Sequence, residues 1–165
     1  KNSACPHAEP SDREIREGDF ITMDFGATFD DYCSDMTRTV AVGHASEKQR
    51  EVYEVVRAAQ QAALDRIKAG MTGREVDAIS REKIAEAGYG EFFGHALGHS
   101  VGLFIHEPPS FSPNCQEPIL ENTVISVEPG IYLPGEFGVR IEDLVVVKQD
   151  GVENLTRSAK SLLLL

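Results

Sequence analysis

The sequence predicts one α+β domain, in which two β-hairpin regions share a core with a pair of helices. Residues 20–42 and 124–147 are β-rich around a turn, and residues 46–88 carry apolar side chains at helical spacing. The chain has 165 residues, of which 41% are hydrophobic, which is enough for a single core. We therefore expect residues 1–165 to form a single domain.

The first β-rich region predicts a hairpin that presents two acidic side chains. β-Branched and aromatic residues in 20–42 surround a short polar turn. If Asp24 and Asp35 lie opposite each other, the centre of the turn falls between Phe29 and Asp30. Opposed residues share a face with their Cβ atoms about 5 Å apart, which is close enough for two carboxylates to hold a cation.

Two consecutive amphipathic helices are predicted next. The first begins at Ser46 and continues to Gly70, and the second begins at Thr72 and ends at Gly88. Each start has a capping-box signature, in which Gln or Glu stands three residues after the capping hydroxyl residue. Both segments carry one apolar face, so we expect them to cover the sheet.

A second hairpin is predicted near the C-terminal end, and it again presents two acids. If Glu128 and Glu142 lie opposite each other, the turn is centred on Gly135, inside a Leu-Pro-Gly-Glu segment with strong turn preference. Asp24 and Glu128 both lie within otherwise apolar runs, where an unpaired buried charge would cost several kcal/mol. Two such pairs indicate a cation site rather than acids that face solvent.

The two hairpins form a weak internal repeat, because each places an acid-x-Gly pattern before a turn and a second acid after it. The second hairpin is preceded by two helices and the first by none. By this analogy we expect an N-terminal truncation that leaves the sheet without part of its helical cover. The open apolar face would then be covered by a second copy of the chain, as a homodimer, or by a companion segment.

Three of the five histidines lie between residues 94 and 109, where glycine recurs at every fourth position from Gly94 to Gly102. This glycine spacing argues against a helix. His95 and His99 have the spacing of a zinc-protease helix, but Ala96 stands where such a helix has its general-base glutamate. We interpret the segment as a loop and strand that delivers one imidazole to metal and others to substrate.

One imidazole and four carboxylates form an oxygen-rich ligand set. Such a set suits Mn²⁺, Co²⁺ or Fe²⁺ better than a structural zinc ion, which prefers Cys and His. Two cations about 3.5–4 Å apart would generate a nucleophilic water at neutral pH. A calcium-binding structural domain is the alternative for the acids alone, although the chain lacks the Asp-x-Asp-x-Asp-Gly loop of helical calcium sites.

Charge and composition exclude several classes of protein. A formal net charge of −11 disfavours a general nucleic-acid role, because the surface repels phosphate backbones. No stretch approaches the roughly 18 apolar residues that a membrane span requires, so we expect no membrane partner. The three cysteines are odd in number and widely spaced, as expected for free thiols in a reducing compartment, and we expect a cytoplasmic protein.

Seven motifs resemble the pita-bread metallopeptidases, the family that includes methionine aminopeptidase, prolidase and aminopeptidase P. In order they are Asn-Ser-Ala-Cys-Pro-His (2–7), Met-Asp-Phe-Gly (23–26), Ser-Asp-Met-Thr-Arg-Thr (34–39), Gly-His-Ala-Leu-Gly-His-Ser-Val-Gly (94–102), Ile-His-Glu-Pro (105–108), Ser-Val-Glu-Pro-Gly-Ile-Tyr (126–132) and Gly-Val-Arg-Ile-Glu-Asp (138–143). The resemblance implies the pita-bread fold, with two pseudo-symmetric hairpin units and covering helices. It also implies that this catalytic domain lacks its first helices and a separate N-terminal domain.

The resemblance assigns the metal ligands individually. They are Asp24, Asp35, His99, Glu128 and Glu142. Asp35 and Glu142 would bridge two divalent ions, expected to be Mn²⁺, with Co²⁺, Fe²⁺ or Zn²⁺ as alternatives. Metal-activated water would attack the scissile carbonyl, with Glu128 as the catalytic carboxylate that handles the proton.

The resemblance also implies four residues that surround the substrate. His106 would lie near the carbonyl or the tetrahedral intermediate, and His7 near the scissile nitrogen. His95 and Arg140 would bind the substrate. A donor placed at the tetrahedral oxygen is what this chemistry requires, and losing one commonly costs about 10²–10³ in rate.

Within the family, the motifs at 126–132 and 138–143 resemble the proline-specific branch. The implied substrate is a peptide with proline at the second position, or an Xaa-Pro dipeptide. Proline there has no amide N–H to offer, so a dedicated pocket is required. Dipeptidase and aminopeptidase activity both stay open, as do a methionine aminopeptidase-like activity and a binding module that kept the fold and lost catalysis. The presence of all five ligands argues against such a module.

Overall fold

The computed structural model describes residues 2–165, which form an α+β domain. The helices are α1 (Glu47–Leu64) and α2 (Gly73–Glu86), with 3₁₀ turns at Asn2–Ala4 and Gly90–Phe92. The strands are β1 (Phe20–Phe25), β2 (Thr28–Phe29), β3 (Tyr32–Cys33), β4 (Met36–Ala41), β5 (Gly98–Ser100), β6 (Glu107–Phe111), β7 (Val124–Val127), β8 (Gly130–Tyr132), β9 (Gly138–Arg140), β10 (Asp143–Lys148) and β11 (Gly151–Asn154). Over the described residues, neither helix combines the length and apolarity needed to cross a bilayer.

The first hairpin pairs β1 with β4 and continues in the short β2–β3 ladder. Its register corrects the sequence prediction, because Asp24 lies opposite Thr37 and not opposite Asp35. The turn is centred between Asp30 and Asp31, whose φ angles of 46° and 67° are those of a tight hairpin turn. Side chains alternate with a period of two, so the shift leaves Asp24 and Asp35 on the same face.

The second hairpin has the register predicted from its two glutamates. β7 pairs with β10, β8 pairs with β9, and both ladders are centred on Gly135, whose φ is 78°. The ladder of β7 and β10 ends at the pair Val127 and Asp143. Glu128 and Glu142 therefore lie opposite each other in the unpaired interval between the two ladders.

A five-stranded sheet forms the centre of the domain, in the order β11-β10-β7-β5-β6. Helix α1 packs across β7, β8 and β9, and α2 packs against β6. Aliphatic side chains from the helices and strands form one buried cluster, which includes Val52, Val56, Val76, Ile84, Ile125 and Val139. Burial of one such side chain contributes about 1.5–3 kcal/mol, so this interface holds the helices against the sheet that carries the site.

Both helices begin at the predicted residues, and each N-cap forms the reciprocal capping box expected from the sequence. The second helix also ends near its predicted glycine. The first helix ends at Leu64, well before the predicted Gly70. Ile67 is still buried beyond this end, so the apolar periodicity continues into a loop and overestimates the length of the helix.

A buried ion-pair cluster holds β4 against the start of β10. The carboxylate of Asp143 is fully buried and accepts from Arg38 Nη2 and Lys160 Nζ, each at 2.8 Å. Arg38 Nη1 also donates to the main-chain carbonyls of Thr37 and Glu142, at 2.9 and 2.5 Å. The cluster therefore connects two acid-bearing segments that are far apart in sequence.

Candidate metal centre

The two hairpins and the histidine segment enclose a cavity of about 670 Å³. All of the residues predicted as site residues line it, namely His7, Asp24, Asp35, His95, His99, His106, Glu128, Arg140 and Glu142. The fold thus gathers into one cavity side chains that come from both ends and the middle of the chain.

Four of the predicted metal ligands form one cluster. Ligand atoms of Asp35, His99 and Glu142 all lie within 4.8 Å of one another. His99 Nε2 lies 3.7 Å from Asp35 Oδ2 and 3.2 Å from Glu128 Oε1. These distances are compatible with a shared cation after small adjustments of the side chains.

Glu142 is the most deeply buried acid of the cluster, and it provides a test of whether a cation fits. Its Oε2 accepts a hydrogen bond from Thr37 Oγ1 at 2.7 Å. Its Oε1 is buried and has no hydrogen-bond partner among the described residues. A buried carboxylate oxygen without a donor is costly, and a divalent cation would compensate for it. The residues present therefore fit a metal ion.

Burial and the neighbouring acids raise the pKa values of two carboxyl groups. Burial, reinforced by the charges of Glu128 and Asp35, raises the pKa of Glu142 to about 8. Burial and the charge of Asp24 raise the pKa of Asp35 to about 6. A bound cation would reverse this repulsion and displace the protons, because ligating carboxylates must be ionised.

Glu128 and His99 form an ion pair at the edge of the cluster. Burial opposes the charged form of both groups, but their mutual contact outweighs it, lowering the pKa of Glu128 and raising the pKa of His99 to about 9. Ser126 Oγ donates to Glu128 Oε1 at 2.9 Å and accepts from the His99 main-chain amide at 3.0 Å. One serine hydroxyl therefore holds both candidate ligands.

Two neighbours determine where the histidine segment lies. A Cβ atom on Gly98 would lie 2.0 Å from the carbonyl oxygen of Ser126, so glycine is needed for β5 to approach β7 this closely. Arg81 of α2 donates to the carbonyl of His95 at 2.8 Å. These contacts bring His99 next to the second hairpin.

Asp24 lies at the rim of the cluster. Its side chain is 47% exposed, and its Oδ2 accepts from Arg140 Nη2 at 2.7 Å. The expectation that Asp24 occupies a buried apolar strand is wrong, because β1 becomes exposed towards its C-terminal end. Its charge still reaches the cluster, since it contributes to the raised pKa of Asp35.

Arg140, Tyr132 and His95 form a hydrogen-bonded wall beside the acids. The Tyr132 hydroxyl accepts from Arg140 Nη1 at 2.9 Å and lies 2.9 Å from His95 Nε2. Burial raises the pKa of Tyr132 to about 12 and lowers the pKa of His95. The wall therefore presents a neutral phenol, a neutral imidazole and one fixed positive charge.

His106 and His7 line the cavity from segments that are far apart in the sequence. The rings of His106 and His99 are in contact, with 4.3 Å between their centroids. His7 follows Pro6, whose carbonyl accepts from Arg140 Nη1 at 3.0 Å. Arg140 therefore also anchors the N-terminal segment that carries His7.

Three residues of the site were not predicted from the sequence, namely Thr37, Ser126 and Tyr132. Alternation along β4 and β7 could have indicated the first two, since each lies two residues from a predicted ligand. The predicted register of the first hairpin was wrong by two residues, so it did not place Thr37 opposite Asp24. Tyr132 ends the motif at 126–132, but the sequence assigns it no role, because its role depends on the side-chain geometry of Arg140 and His95.

Comparison with known proteins places this geometry in a family. Residues 1–149 match the family model of metallopeptidase family M24. The Xaa-Pro dipeptidase of Pyrococcus furiosus is 49% identical over 161 residues, which cover 98% of this chain and 46% of that protein.

Two solved structures align over almost the whole chain. The X-Pro aminopeptidase of Thermotoga maritima superimposes with a TM-score of 0.96 at 50% identity, covering 99% of this chain and 46% of that one. The Xaa-Pro dipeptidase of Bacillus anthracis superimposes with a TM-score of 0.96 at 51% identity, with coverage of 99% and 46%. The chain thus spans a little under half the length of these relatives.

Proposed function

Because the chain belongs to metallopeptidase family M24 and has its pita-bread fold, we propose that it is the catalytic part of a metal-dependent exopeptidase. The substrate proposed is a peptide with proline at the second position, or an Xaa-Pro dipeptide. The names of the relatives support this class, since they are Xaa-Pro dipeptidases and an X-Pro aminopeptidase.

The observation that carries the proposal is the buried acid cluster around His99. Asp35 and Glu142 lie together in a cavity of about 670 Å³, and among the described residues Glu142 has a buried oxygen without a hydrogen-bond donor. Surface acids that face water would leave no such atom. The cluster supports binding of divalent cations, and we propose two of them.

Asp24, Asp35, His99, Glu128 and Glu142 would hold the pair of divalent ions, which we propose to be Mn²⁺. When bound, such ions supply Lewis acidity and a nucleophile at neutral pH. Glu128 would hold a proton beside the cavity, and its contacts with Ser126 and His99, which orient its carboxylate, support this role. The other residues of the site would orient the substrate.

The substrate would be oriented by the hydrogen-bonded wall and the two cavity histidines. Arg140 and His95 are held by Tyr132 at fixed distances, so they can position a peptide without losing further freedom. His106, whose ring contacts that of His99, would donate to the developing oxyanion, and His7, on the cavity wall, would lie near the leaving nitrogen. A donor that meets charge only as it develops accelerates the reaction.

The proposal is tested by hydrolysis assays on the whole protein, stripped of metal and reloaded with Mn²⁺, Co²⁺, Fe²⁺ or Zn²⁺. We expect cleavage of Ala-Pro or Ala-Pro-Ala, and the ratio of the two rates distinguishes dipeptidase from aminopeptidase activity. Preference for Met-Ala-Ser would instead indicate a methionine aminopeptidase-like enzyme. Metal binding with no hydrolysis of any peptide would favour a binding module.

The matched variants are Asp35→Asn in the site and Asp30→Asn at the turn of the same hairpin. Loss of a candidate bridging carboxylate should reduce activity by more than the ~10–100-fold that loss of an outer metal-site partner costs. Asp30 lies at the exposed turn, so its variant should keep full activity. Equal activity and equal metal content in both variants would remove Asp35 from the site.

We also propose that the protein is cytoplasmic, which is supported by its free cysteines, Cys5, Cys33 and Cys115. A second copy of the chain stays a proposed partner. The apolar side chain of Ile15, which is 61% exposed, is compatible with a covering partner of this kind.

A further inference from the structure

Gln60 is a fully buried amide on the inner face of helix α1. The neighbouring inward positions of the helix are apolar, among them Val56 and Ala63, which are also fully buried. The Nε2 atom of Gln60 donates to two main-chain carbonyls, those of Val127 at 3.1 Å and Ile141 at 3.3 Å. The amide is therefore a polar bridge in an otherwise apolar interface.

The two carbonyls that Gln60 contacts belong to the residues that directly precede the two candidate glutamate ligands. Val127 immediately precedes Glu128, and Ile141 immediately precedes Glu142. Both glutamates lie between the end of the β7–β10 ladder and the start of the β8–β9 ladder. The two backbone segments are not paired with each other there, so a side chain that bonds to both of them holds their separation.

The main-chain amides of the two glutamates bond elsewhere. Glu128 N donates to the carbonyl of Leu97 at 2.8 Å, and Glu142 N donates to the carbonyl of Thr37 at 3.1 Å. The two segments therefore bond to different neighbours, one to the histidine segment and one to β4. Gln60 of helix α1 bonds to both of them.

Among the described residues, the Gln60 side chain forms hydrogen bonds through its nitrogen and none through its oxygen. A primary amide has two N–H donors, and here each can point at one carbonyl. Its Oε1 is buried and has no partner among residues 2–165. A simple packing role would be met better by an apolar side chain, because an unpartnered buried amide oxygen is unfavourable. Its placement indicates that the donor function outweighs this cost.

We propose that Gln60 is a positioning residue for the metal centre, which fixes the distance between Glu128 and Glu142 by bonding to the carbonyls before them. The inference rests on the proposed function, since it assumes that both glutamates ligate a metal pair. Gln60 itself does not line the cavity described above. Its effect reaches the metals through the backbone of the two ligand-bearing segments.

The test compares Gln60→Met with Val56→Ala in the whole protein. Met has a similar length and no donors, so it removes the bridge while keeping most of the packing. Val56 lies one turn away on the same buried face, and its truncation weakens packing without touching the two carbonyls. Mn²⁺ affinity and stoichiometry by calorimetry and the visible absorption of the Co²⁺-loaded protein are the readouts.

We expect Gln60→Met to weaken binding of at least one Mn²⁺ ion by about 10–100-fold, as for other outer partners of metal ligands, and to change the Co²⁺ spectrum. Val56→Ala should lower the melting temperature and leave both readouts unchanged. Gln60→Asn, which withdraws the amide by one methylene, gives a second measurement if the Met variant does not fold, and it should also weaken Mn²⁺ binding.

Two results would overturn the inference, and they separate it from the proposed function. If the native protein binds two Mn²⁺ ions and the Gln60 variants bind them with unchanged affinity and spectrum, Gln60 is not a positioning residue and the metal centre stands. If the native protein binds no Mn²⁺, the proposed function and this inference both fall.

Discussion

Replacing the two glutamates of the cluster separately should change the stability of the metal-free protein in opposite directions. Glu142→Gln removes a carboxyl group whose pKa burial raises to about 8, so the buried site no longer has to hold a proton at neutral pH. Glu128→Gln removes the partner of His99, and the pKa of Glu128 is lowered in the folded protein. Both variants should lose metal binding.

The magnitude for Glu142 follows from proton linkage. A carboxyl with a raised pKa binds a proton in the folded state that the unfolded chain has already released, so stability falls as pH rises from 4.5 to about 8. One pKa unit corresponds to about 1.36 kcal/mol, and the full difference approaches about 5 kcal/mol. Because several charges share the site, we expect roughly 2 kcal/mol at pH 8 and little at pH 4.5.

The sign for Glu128 is the reverse. A carboxyl with a lowered pKa contributes stability above its unfolded pKa and loses it as pH falls through the folded value. The pKa of His99 is raised to about 9, so the pair is charged and stabilising at neutral pH. We expect Glu128→Gln to destabilise the metal-free protein by about 1–3 kcal/mol at pH 7, the cost of leaving a buried donor unpaired.

The assay is urea unfolding of the metal-stripped protein at pH 4.5, 7 and 8, repeated with saturating Mn²⁺. At pH 8 without metal, Glu142→Gln should unfold at higher urea than the native protein and Glu128→Gln at lower urea. With Mn²⁺ the native protein should become the most stable of the three. Shifts of equal sign in both variants, or a Glu142→Gln effect that does not change with pH, would refute the reasoning.

Three further predictions concern the stability of the fold and the pH dependence of metal binding. Arg38→Met should destabilise the protein by about 3–5 kcal/mol in urea unfolding, because it leaves the fully buried Asp143 with fewer partners. Ser46→Ala should remove the cap of α1 at a cost of about 1 kcal/mol, while peptide hydrolysis by the metal-loaded protein stays unchanged. Mn²⁺ affinity should increase from pH 6 to pH 9, because binding displaces protons from groups whose pKa values are raised; calorimetry in two buffers of different ionisation enthalpy measures this release.

Local chemistry made several parts of the structure predictable. The capping boxes of both helices, the turn at Gly135 and the opposed position of Glu128 and Glu142 follow from residues close together in sequence. The first hairpin shows the limit of this reasoning. The predicted register paired Asp24 with Asp35. Asp30 and Asp31 adopt the left-handed turn conformation instead, which shifts the register of the hairpin by two residues.

The amino-acid sequence alone identifies the acids and histidines of the site, the hairpins that present the acids and the face on which the acids lie. Alternation along a strand has a short range and survives a register error of two. Tertiary structure decided the distances: Thr37 meets Glu142 across 105 positions, and Gln60 bonds to the backbone beside both glutamates. Such contacts depend on how separate elements pack, and no local pattern encodes the angle at which α1 crosses the sheet. The same packing buries Glu142 and leaves Oε1 without a donor, so the strongest indication of a cation appears only in the folded chain.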